Sequence, residues 1–121
     1  MSLAIAHFAV GTMATALLLA LIAPHLLRSP TVLVAGGVWG MLPDIHWVLP
    51  RGSELVRSFH TTPYANLFWF HHYLDRVDPT NAETFAAAAV GALLAVLLIC
   101  EVFTRVRFSA SVVSPAESRQ E

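Results

Sequence analysis

Histidine and aspartate side chains occur in a few short stretches of an otherwise apolar sequence. His7 lies in the first apolar run, and Asp44 and His46 lie at the end of the second, in the stretch GMLPDIHW. His71 and Asp75 are four residues apart, a spacing that places both side chains on one face of a helix. Imidazole and carboxylate groups together suit Zn²⁺, Mn²⁺ or Fe²⁺. A pocket shared by these residues would be a candidate metal site.

The composition excludes several classes of protein. Charged residues make up only 12% of the 121 residues, against about 25% in soluble domains, and hydrophobic residues make up 56%. A water-soluble enzyme is therefore excluded. The net charge is -1 and all seven basic residues are arginines without a run, which excludes a phosphate-tracking nucleic-acid surface. The single cysteine, Cys100, is expected to be a small packing residue.

The apolar runs predict an all-α membrane protein with one helical membrane domain over residues 1–107. Three transmembrane helices are predicted over about 3–27, 31–50 and 82–104, each long enough for a hydrocarbon core of about 30 Å. Residues 108–121 are predicted to be a disordered tail. A signal peptide is the alternative for the first run, but residues 1–7 contain no Lys or Arg.

The only long polar connection, 51–80, separates the second predicted span from the third. Within it, a helix is predicted over about 63–78, ended by Pro79. Leu67, Phe70 and Leu74 form an apolar stripe on this helix, so it is expected to be amphipathic and to lie in the membrane interface. Burial under the helical bundle is the alternative.

Three spans place the N-terminus and the 51–80 loop at one end of the molecule. Most of the chemistry-bearing residues then share that end, and only His25 lies elsewhere. An Asp at membrane depth costs about 2.5–3.5 kcal/mol at the centre, so Asp44 is expected to face a cavity or a partner. Arginines flank both ends equally, so the orientation in the cell membrane is undetermined. The residues at the shared end are His7, Asp44, His46, His60, His71, His72 and Asp75.

A structural role for these residues is also open. His71 and Asp75 could form a hydrogen bond that stabilises a helix, and His60 could be a surface histidine. Asp44 could cap a helix at the membrane interface. Each of these roles needs no metal.

Four short motifs, in their order along the chain, resemble those of a known family. HFAVG has a His and a Gly in the first span, and LPDIHW has a Pro-Asp pair after an apolar helix. VRSFHTT is a shortened Arg/His motif, and HHYLDRVDP contains His-x-x-x-Asp. The chain thus resembles the membrane-bound metal-dependent hydrolases, the LexA-regulated, YdjM-like inner-membrane proteins. It departs from them at His46, where the family has a second Asp, and at Val56, where the family has a His.

The resemblance implies that a metal-activated water attacks an ester or phosphoester, with membrane lipid as the natural substrate class. Zn is the expected divalent metal, with Mn or Fe as alternatives. His46 and His72 are the expected catalytic residues, His46 as a ligand or a neighbour of the ligands and His72 as a neighbour of the ligands or a base. The implied metal ligands are His7, Asp44, His60, His71 and Asp75.

Two other functions are compatible with the sequence. The chain could be a non-catalytic accessory or assembly subunit that forms a homo-oligomer or joins a larger complex through faces at Gly36, Gly40 and Gly91. It could also handle ions or protons through Asp44 and the histidines, which would need an oligomer. Because no Gly-x-Ser-x-Gly, phosphate-binding Gly loop or His-Glu-x-x-His occurs, metal-water chemistry is the only enzymatic route indicated.

Overall fold

The computed structural model describes residues 3–47 and 53–113. These ranges form five α-helices connected by short 3₁₀ segments and turns, and the predicted all-α class is confirmed. The 3₁₀ segments are Pro24–Arg28, Leu42–Trp47 and Pro63–Leu67. The α-helices are α1 (Ala4–Ile22), α2 (Pro30–Met41), α3 (Ser53–His60), α4 (His71–Val77) and α5 (Glu83–Val113).

Helix α1 lies between α2 and α5 and contacts both. Ala6 and Ala9 of α1 pack against Ala86 and Ala89 of α5, where small side chains allow two helices to approach closely. These contacts join the first turns of α1 to the first turns of α5, so the two helices start at the same end of the molecule. The chain between them returns through α2.

The contact between α1 and α2 depends on glycines. A Cβ atom placed on Gly36 would lie 2.0 Å from the Thr15 hydroxyl, and one placed on Gly40 would lie 2.8 Å from the His7 carbonyl oxygen. Neither position has room for a larger residue without displacing its neighbour. The structure therefore uses the small-residue face at Gly36 and Gly40 for packing within the chain. Gly91 of α5, in contrast, has no neighbouring atom within 4 Å of such a Cβ.

Two helices within the described ranges are long and apolar enough to cross a membrane, α1 and the Glu83–Arg107 part of α5. The sequence predicted three. Helix α2 has only twelve residues and is about 18 Å long, too short for a hydrocarbon core of about 30 Å. The predicted continuous helix over 31–50 stops at Met41 because Pro43 lacks the amide hydrogen that a helix interior needs. Its last predicted residues, 48–50, lie outside the described ranges.

The ends of the other two predicted spans also differ from the structure. The first was predicted over 3–27, but α1 ends at Ile22 because the residue before Pro24 is driven out of the helical region, with Ala23 at φ -151° and ψ 65°. The third was predicted over 82–104, but α5 continues to Val113. Helix α5 thus includes residues 108–113 of the predicted disordered tail, and residues 114–121 lie outside the described ranges.

The predicted single helix over 63–78 is interrupted. A 3₁₀ segment covers Pro63–Leu67, and α4 begins only at His71. Between them Trp69 and Phe70 have φ values of 51° and 62°, the left-handed region that reverses the chain. Asn66 stabilises this turn, since its carbonyl accepts the Phe70 N–H and its side-chain Oδ1 accepts the Tyr73 N–H, both at 2.9 Å. Helix α3, which precedes this turn, was not predicted from the sequence.

Candidate metal centre

The structure brings all five predicted metal ligands into one pocket at the end where α1 and α5 begin. His7 comes from the first turn of α1, and Asp44 from the 3₁₀ segment after α2. His60 is the last residue of α3, while His71 and Asp75 lie one turn apart on α4. The imidazoles are buried, with exposures of 1% for His7, 6% for His60 and 0% for His71. Ligand donors from four separate elements thus meet in a site that is largely shielded from solvent.

Three imidazole nitrogens surround the two carboxylates. Each of His7, His60 and His71 directs Nε2 towards both Asp44 and Asp75. The Nε2 of His60 lies 3.3 Å from Asp44 Oδ1 and 3.1 Å from Asp75 Oδ2. The Nε2 of His71 lies 3.4 and 3.8 Å from the same two oxygens, and that of His7 lies 3.9 Å from Asp44 Oδ2 and 3.2 Å from Asp75 Oδ1.

These separations fit the edges of a metal coordination shell. Ligand atoms about 2.0–2.2 Å from a common ion lie about 2.8–3.6 Å from one another in octahedral or tetrahedral geometry. The distances from His60 and His71 to the carboxylates are close to that range. Two subsets, His7 with Asp44 and His71, and His60 with His71 and Asp75, each offer three donor atoms that lie within 4.8 Å of one another. The pocket can therefore hold a metal ion.

Hydrogen bonds do not satisfy all of the histidine Nε2 atoms in the pocket. Within the described ranges, the buried Nε2 atoms of His60 and His71 have no hydrogen-bond partner, although carboxylate oxygens lie 3.1 and 3.4 Å away. A buried polar atom without a partner costs about 1–3 kcal/mol. Coordination of a cation by the two nitrogens would remove that cost, so the donor set fits a metal.

A backbone contact sets the orientation of His71. Its Nδ1–H donates to the Gly40 carbonyl oxygen at 2.9 Å, which leaves Nε2 to act as the donor to a metal. In the 3₁₀ pattern that follows α2, the partner of the Gly40 carbonyl would be the amide of residue 43, and Pro43 has none. The proline thus leaves this carbonyl available to the histidine. Gly40 was not predicted as a site residue, although its position three residues before a proline was a usable signal.

Glycine at position 40 also brings His7 and His71 together. The absence of a side chain allows α2 to pack directly on the backbone of α1 at His7. The rings of His7 and His71 then stack with centroids 3.8 Å apart and an angle of 20° between their planes. Close packing of α1 and α2 is therefore a condition for the geometry of the site.

Burial and the neighbouring carboxylates act in opposite directions on the pKa values of His60 and His71. Burial disfavours the charged imidazolium of His71, but the Asp44 carboxylate, the Gly40 carbonyl and Asp75 outweigh it and raise the His71 pKa. In His60 burial dominates, and the nearby His71 reinforces it, so the pKa is lowered despite Asp75 and Asp44. A lowered pKa keeps His60 neutral near pH 7, the form that binds metal.

Aromatic packing holds the connection between α3 and α4 over the site. The Trp39 indole Nε1–H donates to the Leu67 carbonyl oxygen at 3.2 Å, and the Trp39 and Phe68 rings stack with centroids 4.6 Å apart. Phe59 meets Phe68 edge-on at 5.8 Å. These contacts tie the segment before α4 to α2. The contacts of Phe68 agree with partial burial, the alternative to an interfacial position for the helix predicted over 63–78, and the role of Trp39 was not predicted.

The two predicted catalytic histidines occupy different positions. His46 is partly buried, its ring centroid lies 5.0 Å from that of His60, and its Nδ1–H donates to the Pro43 carbonyl at 2.9 Å. His72 follows His71 on α4 and is rotated about 100° from it. Its side chain is partly exposed, and the described residues give it no hydrogen bond or ion pair. His46 thus lies beside the pocket, while the catalytic role of His72 stays a prediction.

The arrangement can bind a divalent cation at the end of an apolar bundle, next to an imidazole that is not one of the five donors. No protein-family model, curated protein or solved structure matches this chain. The functional interpretation therefore depends on the geometry of the pocket and on the motifs in the sequence.

Proposed function

We propose that the chain is a membrane-embedded, metal-dependent hydrolase that cleaves an ester or phosphoester bond, with a membrane lipid as its substrate. The observation that carries this proposal is the convergence of three buried Nε2 atoms on two carboxylates, two of the nitrogens lacking a hydrogen-bond partner within the described ranges. Its resemblance to the YdjM-like hydrolases depends on the four sequence motifs alone.

The exposed surface of the helices supports the membrane placement. In the candidate span of α5 only 17% of the most apolar 18-residue stretch is buried within the protein. Leu98, Ile99 and Val102 are each more than 60% exposed. A soluble monomer rarely exposes so large a contiguous apolar surface. We infer that lipid surrounds α1 and α5. Helix α2 and the following 3₁₀ segment would form the return pass of a three-pass bundle in the cell membrane.

Position in the membrane then indicates the substrate class. The pocket lies where α1 and α5 begin, which is the boundary of the apolar band. Ester and phosphoester groups of lipids lie at that depth. A bound divalent ion such as Zn²⁺ would supply a Lewis acid and lower the pKa of a water molecule towards about 7. His7, Asp44, His60, His71 and Asp75 would hold it.

His46 is the residue best placed to accept a proton from water. Its Nδ1–H is directed to the Pro43 carbonyl, so Nε2 carries the lone pair. It lies next to His60 without being one of the five convergent donors. An imidazole at the edge of a metal pocket is a suitable general base. We therefore assign His46 the proton-accepting role.

Metal content is the direct test. The full chain would be purified in detergent without added metal, and its zinc, manganese and iron would be measured by mass spectrometry. We expect about one or two ions per chain, lost in Asp44→Ala and His71→Ala. His25→Ala is the matched control, because His25 is exposed at the opposite end of the molecule and should not change metal content.

Activity would be measured on fluorescent phospholipids in mixed micelles, following release of the ester or phosphoester product. His46→Gln should retain the metal and lose at least about a hundredfold in turnover, in line with general-base catalysis. Full metal content in both Asp44→Ala and His71→Ala would refute the ligand assignment. Metal binding without turnover on any lipid would refute the hydrolase and leave a structural metal site.

An accessory subunit is the second candidate, and the open surface of α5 favours it. Within the described ranges, no packing neighbour lies within 4 Å of a Cβ placed on Gly91, and Leu94 and Leu98 nearby are 58% and 63% exposed. A partner helix or a second copy of the chain could pack there. Metal-free wild-type protein that always co-purifies with a larger membrane complex would favour this function over the hydrolase.

A further inference from the structure

A cavity of about 520 Å³ lies at the opposite end of the bundle from the metal pocket. It is formed between the 3₁₀ segment after α1, the start of α2 and the second half of α5. Leu33 and Leu97 form part of an apolar wall, and Arg28, Glu101 and Arg105 contribute the charged groups. The cavity therefore offers an apolar surface and a cationic rim to the same ligand.

The three charged residues that line the cavity, two arginines and one glutamate, have a formal net charge of +1. Arg105 donates a hydrogen bond to the Glu101 carboxylate one turn earlier on α5, and Arg28 supplies the second guanidinium from the other wall. Guanidinium groups match phosphate oxygens in geometry and are more weakly hydrated than ammonium groups. A rim with two guanidiniums and one carboxylate is complementary to a phosphate that carries one negative charge. A phosphodiester has that charge.

The position of the cavity along the membrane normal favours a lipid over a free ion as its ligand. Arg105 lies about 28 Å beyond Ala86 along α5, at a rise of about 1.5 Å per residue. Ala86 packs at the metal-pocket end of the bundle, so the two sites are separated by about one hydrocarbon thickness. In the membrane placement proposed above, the cavity is at the level of the opposite headgroups. Its apolar wall also exceeds what an inorganic anion would contact.

We propose that this cavity binds the phosphodiester headgroup of a membrane phospholipid, with Arg28 and Arg105 contacting the phosphate and the leucine wall contacting the glycerol-ester region. Nothing in the hydrolase proposal requires this site, which would anchor the far end of the bundle to the second leaflet. The lipid-site proposal rests on the same membrane placement as the hydrolase proposal, and no catalytic step is assigned to this site.

Native mass spectrometry of the full chain in detergent tests the proposal. Apparent dissociation constants would be measured for phosphatidylglycerol, for a diacylglycerol with the same acyl chains, and for inorganic phosphate. We expect phosphatidylglycerol to bind at least about tenfold more tightly than either of the others. The double variant Arg28→Gln, Arg105→Gln should weaken phosphatidylglycerol binding at least about tenfold, since hydrogen bonds to a charged group are lost.

Arg107→Gln is the matched control. Arg107 lies on the same helix, but its guanidinium lies over the Phe103 ring and does not line the cavity. If diacylglycerol bound as tightly as phosphatidylglycerol, the cavity would be an apolar groove only. If inorganic phosphate bound as tightly as phosphatidylglycerol, the cavity would be a free-anion site. Either result would overturn the proposal, as would an unchanged double variant or an equal loss in Arg107→Gln. The metal content of each variant reports separately on the hydrolase pocket and on folding.

Discussion

Replacing Gly40 with alanine tests whether the contact between α1 and α2 sets the geometry of the metal pocket. The new Cβ would lie 2.8 Å from the His7 carbonyl oxygen, about 0.6 Å closer than the 3.4 Å at which ordinary van der Waals contact begins. It would also lie 3.3 Å from the Cα of Gly11. Both neighbours are backbone atoms of α1, so relief requires the two helices to move apart.

The expected stability change follows from two opposing terms. Overpacking a close contact costs about 1–3 kcal/mol, and alanine regains about 1 kcal/mol over glycine in a helix. We expect the free energy of unfolding to fall by about 1 kcal/mol. The shift required is similar to the tolerance of about 0.5 Å within which a binding site must be held. Because Gly40 contacts both His7 and His71, we expect metal affinity to fall at least about tenfold.

Gly91→Ala is the matched control for this experiment. Its Cβ would meet no atom within 4 Å, so alanine should leave metal affinity unchanged and stabilise α5 by up to about 1 kcal/mol. Affinity would be measured by competition with a chromophoric chelator, and stability by denaturant unfolding in detergent. Wild-type zinc affinity in Gly40→Ala would refute the link between helix packing and ligand geometry. An equal loss in Gly91→Ala would refute it as well.

Three other perturbations test separate parts of the structure. Trp39→Phe should keep the stacking on Phe68 but lose the hydrogen bond to the Leu67 carbonyl, lowering the free energy of unfolding by about 0.5–1.5 kcal/mol; an unchanged denaturation midpoint would contradict this. Asp78→Ala should cost about 1–2 kcal/mol, because its buried carboxylate accepts the Ala82 N–H before α5. Its metal content should stay at the wild-type level, and loss of metal would show that α5 also positions the pocket. Zinc at a hundred times its dissociation constant should raise the free energy of unfolding of the wild type by about 2.7 kcal/mol, and a smaller rise would mean that the unfolded chain binds zinc too.

The convergence of the candidate ligands could be predicted from the sequence because it depends on which end of the bundle each part of the chain occupies. Apolar runs long enough to cross a membrane fix the end at which each connection lies. That rule predicted that His7, Asp44 and the loop histidines would share one end, and that His25 would lie apart. Coarse topology was sufficient for this prediction even though the middle run is not one continuous helix.

The local geometry was not accessible from the sequence, because tertiary contacts determine it. Aromatic residues have no intrinsic preference for the left-handed region, so nothing in the sequence around Trp69 and Phe70 indicated a reversal there. The turn forms because Asn66 and the stacked aromatic rings stabilise it, and each left-handed residue costs about 1–3 kcal/mol. Without the turn, α4 would begin earlier and would direct His71 differently.

Pro43 shows why the break in the second apolar run and the chemistry belong together. In a continuous α-helix the Asp44 amide would bond to the Gly40 carbonyl and would compete with His71 Nδ1–H for that oxygen. The tautomer that leaves Nε2 for a metal would then have weaker support. Proline removes the amide that residue 43 would otherwise offer, ends α2, and is followed by Asp44 on a 3₁₀ segment close to the imidazoles. The break in the second apolar run therefore favours both the His71 hydrogen bond and the position of the Asp44 carboxylate.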